Sequence, residues 1–124
     1  MTEAIELHDS DVAAVEIVGG AVRIQFLEAY IWVEDKGWGQ KASLILENAQ
    51  VKEKPGKFPV TISEGMLSGE KGQFDNIVPL PFSAQGPFSV EFVFTSGERL
   101  EVTGQNPTVE LIGERRFIEE AGQL

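Results

Sequence analysis

Ala13-Ala14-Val15-Glu16-Ile17-Val18-Gly19-Gly20-Ala21-Val22-Arg23-Ile24-Gln25-Phe26 is the stretch that decides the fold class of this 124-residue chain. Apolar and polar side chains alternate on both sides of the two glycines, the period of a strand with one wet face. Consecutive glycines suit a two-residue type I′ turn, which needs positive φ at both central positions. Closing the hairpin there sets Ile17 opposite Val22, Val15 opposite Ile24 and Ala13 opposite Phe26 on a core face. Glu16 then meets Arg23 and Ala14 meets Gln25 on the other face, an ion pair and a small polar pair suited to water. A slip of one residue would scatter the apolar set across both faces, so the register is well specified.

Beyond the hairpin the apolar phase changes. Val22, Ile24 and Phe26 share one parity, whereas Leu27, Ala29, Ile31 and Val33 share the other. A β-bulge near Leu27 and Glu28, or a strand passing between two sheets, supplies such a shift. Residues 35–39 read as a turn in which Gly37 and Gly39 flank Trp38, and residues 42–46 as a strand buried on both faces. Pro55 interrupts the chain among Lys52, Lys54 and Lys57, charges of the kind that protect a sheet edge. Phe58, Val60 and Ile62 resume the alternation. Residues 65–76 read as a glycine-rich polar loop, and Pro79 and Pro81 confine residues 77–82 to an edge or a crossover.

A second hairpin turns at Thr95, Ser96 and Gly97, pairing Phe92 with Leu100 and Val90 with Val102. The same register opposes Glu91 to Glu101, which is unfavourable, so a shifted pairing of Val93 with Glu101 stays open. Val109 and Leu111 make a last strand. From Glu114 onward, Phe117, Ala121 and Leu124 recur at helical spacing, Arg115 and Arg116 precede Glu119 and Glu120 by four residues, and Gly122 suits a C-cap. The expectation is a single all-β domain over residues 1–124. Its architecture is an antiparallel sandwich or flattened barrel of about eight strands, closed by a short C-terminal helix.

Composition narrows the function classes. Twenty acids against ten bases give a net charge of −10, which argues against nucleic-acid or anionic-membrane binding, since phosphates need clustered Lys and Arg. A charged partner is then a basic one. The absence of cysteine removes disulfides and thiolate metal sites and fits a cytoplasmic setting. Residues 1–7 lack the basic and apolar regions of a signal peptide, and no apolar run approaches the roughly 20 residues needed to span a bilayer.

The bulge places Glu28, Tyr30, Trp32 and Glu34 together on the face opposite the core. Tyr and Trp offer large contact area with few rotors, so this acid-and-aromatic strip is the candidate binding surface, with Trp38 a further candidate in its turn. Burial of both rings under a covering strand is the plainer reading of the same pattern. His8, Asp9, Ser10 and Asp11 resemble chemistry on sight, but one histidine without His-x-His or Glu-x-x-His spacing does not make a zinc site. No nucleophile elbow surrounds Ser10; local backbone hydrogen bonding explains it better. Gly69-Glu70-Lys71-Gly72 lacks the hydroxyl residue that a phosphate loop places after its lysine. No metal and no cofactor is expected.

Leu-His-Asp-Ser followed by the glycine-centred hairpin, residues 7–26, resembles the opening of small bacterial β domains of toxin-immunity or uncharacterised type. The resemblance implies a non-enzymatic cytoplasmic binder whose acidic surface occludes a basic protein. Three functions are thus on the table. The first is a non-enzymatic acidic binding module of this inhibitor or immunity type, using Glu28, Tyr30, Trp32 and Glu34. The second is a module for a sugar or an apolar metabolite held by Trp32 or Trp38. The third and weakest is a carboxylate-based hydrolase. A homo-oligomer joined through a sheet edge or the aromatic strand is compatible with each.

Overall fold

The Gly19-Gly20 hairpin forms in the expected register near its turn, although Ile17, expected on the core face, is 66% exposed and Arg23 bonds Ser43 and Glu110 while Glu16 accepts from Gln25. In the computed structural model, which describes residues 2–70 and 72–120, the two glycines take φ of +58° and +84°. They join β1 (Glu3–Val18) to β2 (Ala21–Val33). Ile17 faces Val22, Glu16 faces Arg23, Val15 faces Ile24 and Ala14 faces Gln25. Val12 rather than Ala13 lies opposite Phe26, because a bulge at Ala13 absorbs one residue and turns the larger Val12 into the core, where it is fully buried.

Six strands follow: β3 (Lys36–Glu53), β4 (Val60–Gly69), β5 (Gly72–Asp75), β6 (Ile77–Leu80), β7 (Pro87–Phe94) and β8 (Arg99–Glu120). Neighbours pair antiparallel in the order β5-β4-β7-β8-β3-β2-β1-β6. Asp11 and Val12 of β1 also pair with Thr61 and Val60 of β4, which bends the sheet into a partial barrel. On one side of that contact β1 and β4 diverge, and the β5–β6 segment fills the gap, β5 against β4 and β6 against β1.

Asn76 is the clasp. It takes a left-handed φ of +67°, a conformation Asn tolerates better than most residues. Its N–H donates to the Gly65 carbonyl at 2.9 Å, and its carbonyl accepts from the Leu7 N–H at 2.7 Å. Its side-chain Oδ1 accepts from the His8 N–H at 2.7 Å. One residue thereby satisfies backbone groups on both diverging strands.

Inside the barrel lie Val22, Ile24, Phe26, Leu44, Leu46, Ile62, Leu67, Val90, Phe92, Leu100 and Val102, all buried. The second hairpin keeps the register that opposes Glu91 to Glu101, with Phe92 on Leu100 and Val90 on Val102. Burying each of those four apolar side chains is worth about 1.5–3 kcal/mol, whereas opposed like charges on a sheet surface cost at most about 1 kcal/mol. Packing therefore wins.

Three expectations need correction. Among the described residues there is no terminal helix: β8 continues through Glu120, with Gly39 opposite Arg116, Trp38 opposite Phe117 and Gly37 opposite Glu119. Pairing with β3 at Arg116, Phe117, Glu119 and Glu120 supplies ladder hydrogen bonds on one edge of the segment, against about 0.2–0.5 kcal/mol for each Arg–Glu pair at helical spacing. Ala121, Gly122 and Leu124 of the expected helix lie outside the described residues. No helix in the described residues is long and apolar enough to cross a membrane. The turn expected at residues 35–39 shrinks to Glu34 and Asp35, and Trp38 stands in β3. The expected loop of residues 65–76 is largely β4 and β5, paired from Met66–Asp75 to Gly69–Gly72.

Candidate functional site

The bulge in β2 creates the outward strip. Phe26 pairs with Ala42 and Ala29 with Gln40, so Leu27 and Glu28 together occupy the place opposite Lys41. Phe26, Ala29 and Ile31 point inward and are buried, while Leu27 is exposed rather than inward. Glu28, Tyr30 and Trp32 consequently emerge on the outer surface, each half-buried, and Glu34 follows in the turn with φ of +57°.

Two glycines on the neighbouring strand make room for these side chains. A β-carbon at Gly37 would fall 2.7 Å from the Tyr30 hydroxyl oxygen, and one at Gly39 would fall 2.4 Å from Glu28 Cδ. Neither glycine has a positive φ; both are required by close approach. Across the first, Tyr30 reaches β8 and donates its O–H to Glu119. Across the second, Glu28 places both carboxylate oxygens 2.8 Å from Arg116 Nη2.

The aromatic rings of Tyr30 and Trp32 stand 5.4 Å apart at 44°. Trp32 donates its indole N–H to Glu6 Oε2 at 2.6 Å, and Glu34 Oε1 accepts from the Thr2 N–H at 3.2 Å. Burial pushes the Tyr30 phenol well above its ordinary pKa, and the Glu119 hydrogen bond and the charges of Glu119, Glu6 and Asp9 add to the shift. The ring is held as a neutral donor among carboxylates. Within these hydrogen-bonded pairs of described residues, Glu6, Glu28, Glu34 and Glu119 meet one guanidinium, that of Arg116.

Trp38 is not part of this strip. It lies opposite Ile31 and Phe117 on the other face of the sheet, its ring edge-on to Phe117 at 5.3 Å. The structure brings together Glu28, Tyr30, Trp32 and Glu34, and adds Glu6, Gly37, Gly39, Arg116 and Glu119, none of which the sequence places in this strip. One signal for the glycines was available: residues 37 and 39, two apart, share a face if the segment is a strand.

A polar cleft adjoins the strip through Glu6. Between the Glu6 and Asp11 pairings, β1 carries three more residues than β2 and bulges outward. Beside this bulge lies a cavity of about 370 Å³ lined by Glu6, His8, Ser63, Glu64, Gly65, Asp75 and Asn76. His8 Nδ1 sits 3.1 Å from Asp9 Oδ2 and 3.9 Å from Glu6 Oε1. Neither tryptophan lines this cleft. Ser10 is fully buried, donating to the Glu6 carbonyl at 2.7 Å and accepting from the Tyr30 N–H at 2.9 Å. Its hydroxyl thus stands in for a ladder bond that the bulge removes, and no substrate can reach it. Among the described residues no group of three or more His, Asp or Glu side chains is placed to hold a metal ion.

Compared with protein-family models, curated proteins and solved structures, the chain finds no match among any of the three.

Proposed function

We propose that this chain is a non-enzymatic acidic binding module of the inhibitor or immunity type, acting in the cytoplasm, whose outward β2 strip occludes a basic protein. One observation supports the reading above others: Tyr30 and Trp32, 5.4 Å apart, are locked on the outer surface among carboxylates that outnumber the cations bonded to them. Each carboxylate has about four lone-pair sites, so those already bonded to the rings still accept from a partner's Lys or Arg. Rings fixed before contact lose little rotamer entropy on binding, and the surrounding negative field speeds encounter with a basic surface.

The test is affinity capture of basic proteins by the full chain, repeated with Trp32→Ala and Glu34→Lys. The expected result is a basic partner retained by the parent chain, weakened by both variants and released as salt rises, because exposed charges are screened over about 8 Å at physiological ionic strength and about 3 Å at 1 M. A partner held equally well by the variants, or indifferent to salt, would sink the reading.

A further inference from the structure

The far end of β8 is a strand with one open edge. Its outer edge pairs with β7 from Arg99 to Gln105, and then makes a bridge from Thr108 to Ser83 and a bond from the Val109 N–H to the Phe82 carbonyl at 3.0 Å. Among the described residues no strand pairs with that edge beyond Val109, although β8 runs to Glu120 along β3. Leu111, Ile112 and Phe117 along it are 37%, 44% and 49% exposed. A long edge with apolar side chains is a template for another strand.

The chemistry of the edge selects its occupant. Arg116 stands three residues before Glu119, so the same segment laid antiparallel brings these opposite signs together, whereas Arg115 is held by Glu3 and Gln40. Geometry adds a condition. A two-fold axis normal to the sheet carries outward-facing residues onto outward-facing residues, so two positions can oppose each other across it only if both point the same way. Residues three apart in a regular strand point to opposite faces. Here an extra residue at Ile118 lies between the Trp38–Phe117 and Gly37–Glu119 pairs. Arg116, opposite Gly39, and Glu119, opposite Gly37, therefore both face outward with Tyr30 and Trp32. Glu28 engages one nitrogen of Arg116, Nη2, and the arginine side chain is 66% exposed, leaving it reach for a second carboxylate.

We infer that the edge of β8 beyond Val109 is the interface for a second copy of this chain, paired antiparallel about a two-fold axis between Phe117 and Ile118. Arg116 of each copy then meets Glu119 of the other. The contact is isologous and closes as a dimer. Arg116 and Glu119 also bond Glu28 and Tyr30 of the β2 strip, but the readout is self-association of the chain alone, so failure of the dimer and failure of the proposed function are distinguishable.

Sedimentation of the full chain, of Arg116→Glu, of Glu119→Arg and of an equimolar mixture of the two variants tests it. The parent chain is expected to sediment as a dimer, and each variant, facing like charges twice, to dimerise about tenfold or more weakly. The mixture is expected to recover the dimer as a heterodimer, because one copy then supplies only acids and the other only bases at the two contacts. Recovery on mixing cannot come from a simple loss of folding. Should a reversal fail to give native circular dichroism, Arg116→Gln, which keeps a donor toward Glu28, must still weaken the dimer. A parent chain that remains monomeric up to millimolar concentration overturns the inference, as does a dimer unchanged by the reversals or a pair of folded variants that stay monomeric when mixed.

Discussion

Tyr30 lies across Gly37, its ring covering the place where any other residue would carry a side chain. A β-carbon there would fall 2.7 Å from the hydroxyl oxygen and 2.8 Å from Cε1. The contact links β2 to β8 over an intervening strand, since the phenol ends on Glu119. The outward strip thus depends on residues that carry no functional groups of their own.

Substituting alanine at the close-approach glycines should give a ranked series. At Gly39 the obstacle is the Glu28 carboxylate, the movable end of a flexible chain, so Gly39→Ala breaks the Arg116 contact at a cost below about 1 kcal/mol. Gly37→Ala must swing an aromatic ring and costs about 1 kcal/mol. Gly104→Ala meets Ala49 Cβ at 2.7 Å, Leu46 Cβ at 2.9 Å and the Glu47 carbonyl at 3.0 Å, groups that cannot swing away, and costs about 2–3 kcal/mol. Chemical denaturation measures the order; Gly39→Ala as the most damaging of the three contradicts it.

Ser10→Ala should destabilise by about 1–3 kcal/mol, because it leaves the Tyr30 N–H and the Glu6 carbonyl without the hydroxyl that joins them. Ser63→Ala, which loses one bond to the Val93 carbonyl from a half-buried site, is the comparison and should cost less. Equal effects would mean that the buried bulge is not held by Ser10.

Glu101→Lys should stabilise the chain. Glu101 stands opposite Glu91 on β7 and Glu53 on β3, so the change replaces two like-charge neighbours by opposite ones, a gain of about 0.2–1 kcal/mol for each pair. The gain should shrink in high salt. A thermal midpoint lowered by the substitution at low salt would refute the electrostatic account of this row.

Tyr30 is the single tyrosine of the chain, so ultraviolet absorbance of the phenolate reports it alone. Its folded-state pKa is raised, first by burial and then by Glu119. The stabilisation tied to its proton is complete below the unfolded value of about 10 and is lost as pH rises toward the folded one. Stability should therefore decline above about pH 10, and Tyr30→Phe should remove part of that decline. Glu119→Gln should lower the phenol's titration midpoint; an unchanged midpoint would show that Glu119 does not perturb it.

Much of the sheet was legible in the chain. Alternation and the paired glycines specify the first hairpin to within the bulge at Ala13, and the change of apolar parity after Phe26 announces the bulge that exposes Tyr30 and Trp32. Those signals are local: side chains on a strand alternate at a period of two, and a break in the period has few backbone solutions. The pairing of Glu91 with Glu101 was only one of two registers the chain allowed; the structure adopts it because the four apolar neighbours outweigh the repulsion.

What neighbouring strands share could not be read that way. Gly37 and Gly39 resemble turn glycines until Tyr30 and Glu28 are seen crossing them, and residues 114–120 carry helical spacing that matters only in the absence of a strand beside them. Which segment lies next to which is a tertiary fact. Local composition determined the all-β class, the hairpins and the outward strip. Backbone pairing between distant segments decided the fate of the C-terminal stretch, the clasp at Asn76 and the partners of every ring in the strip, because those hydrogen bonds and close contacts exist only once the strands are assembled.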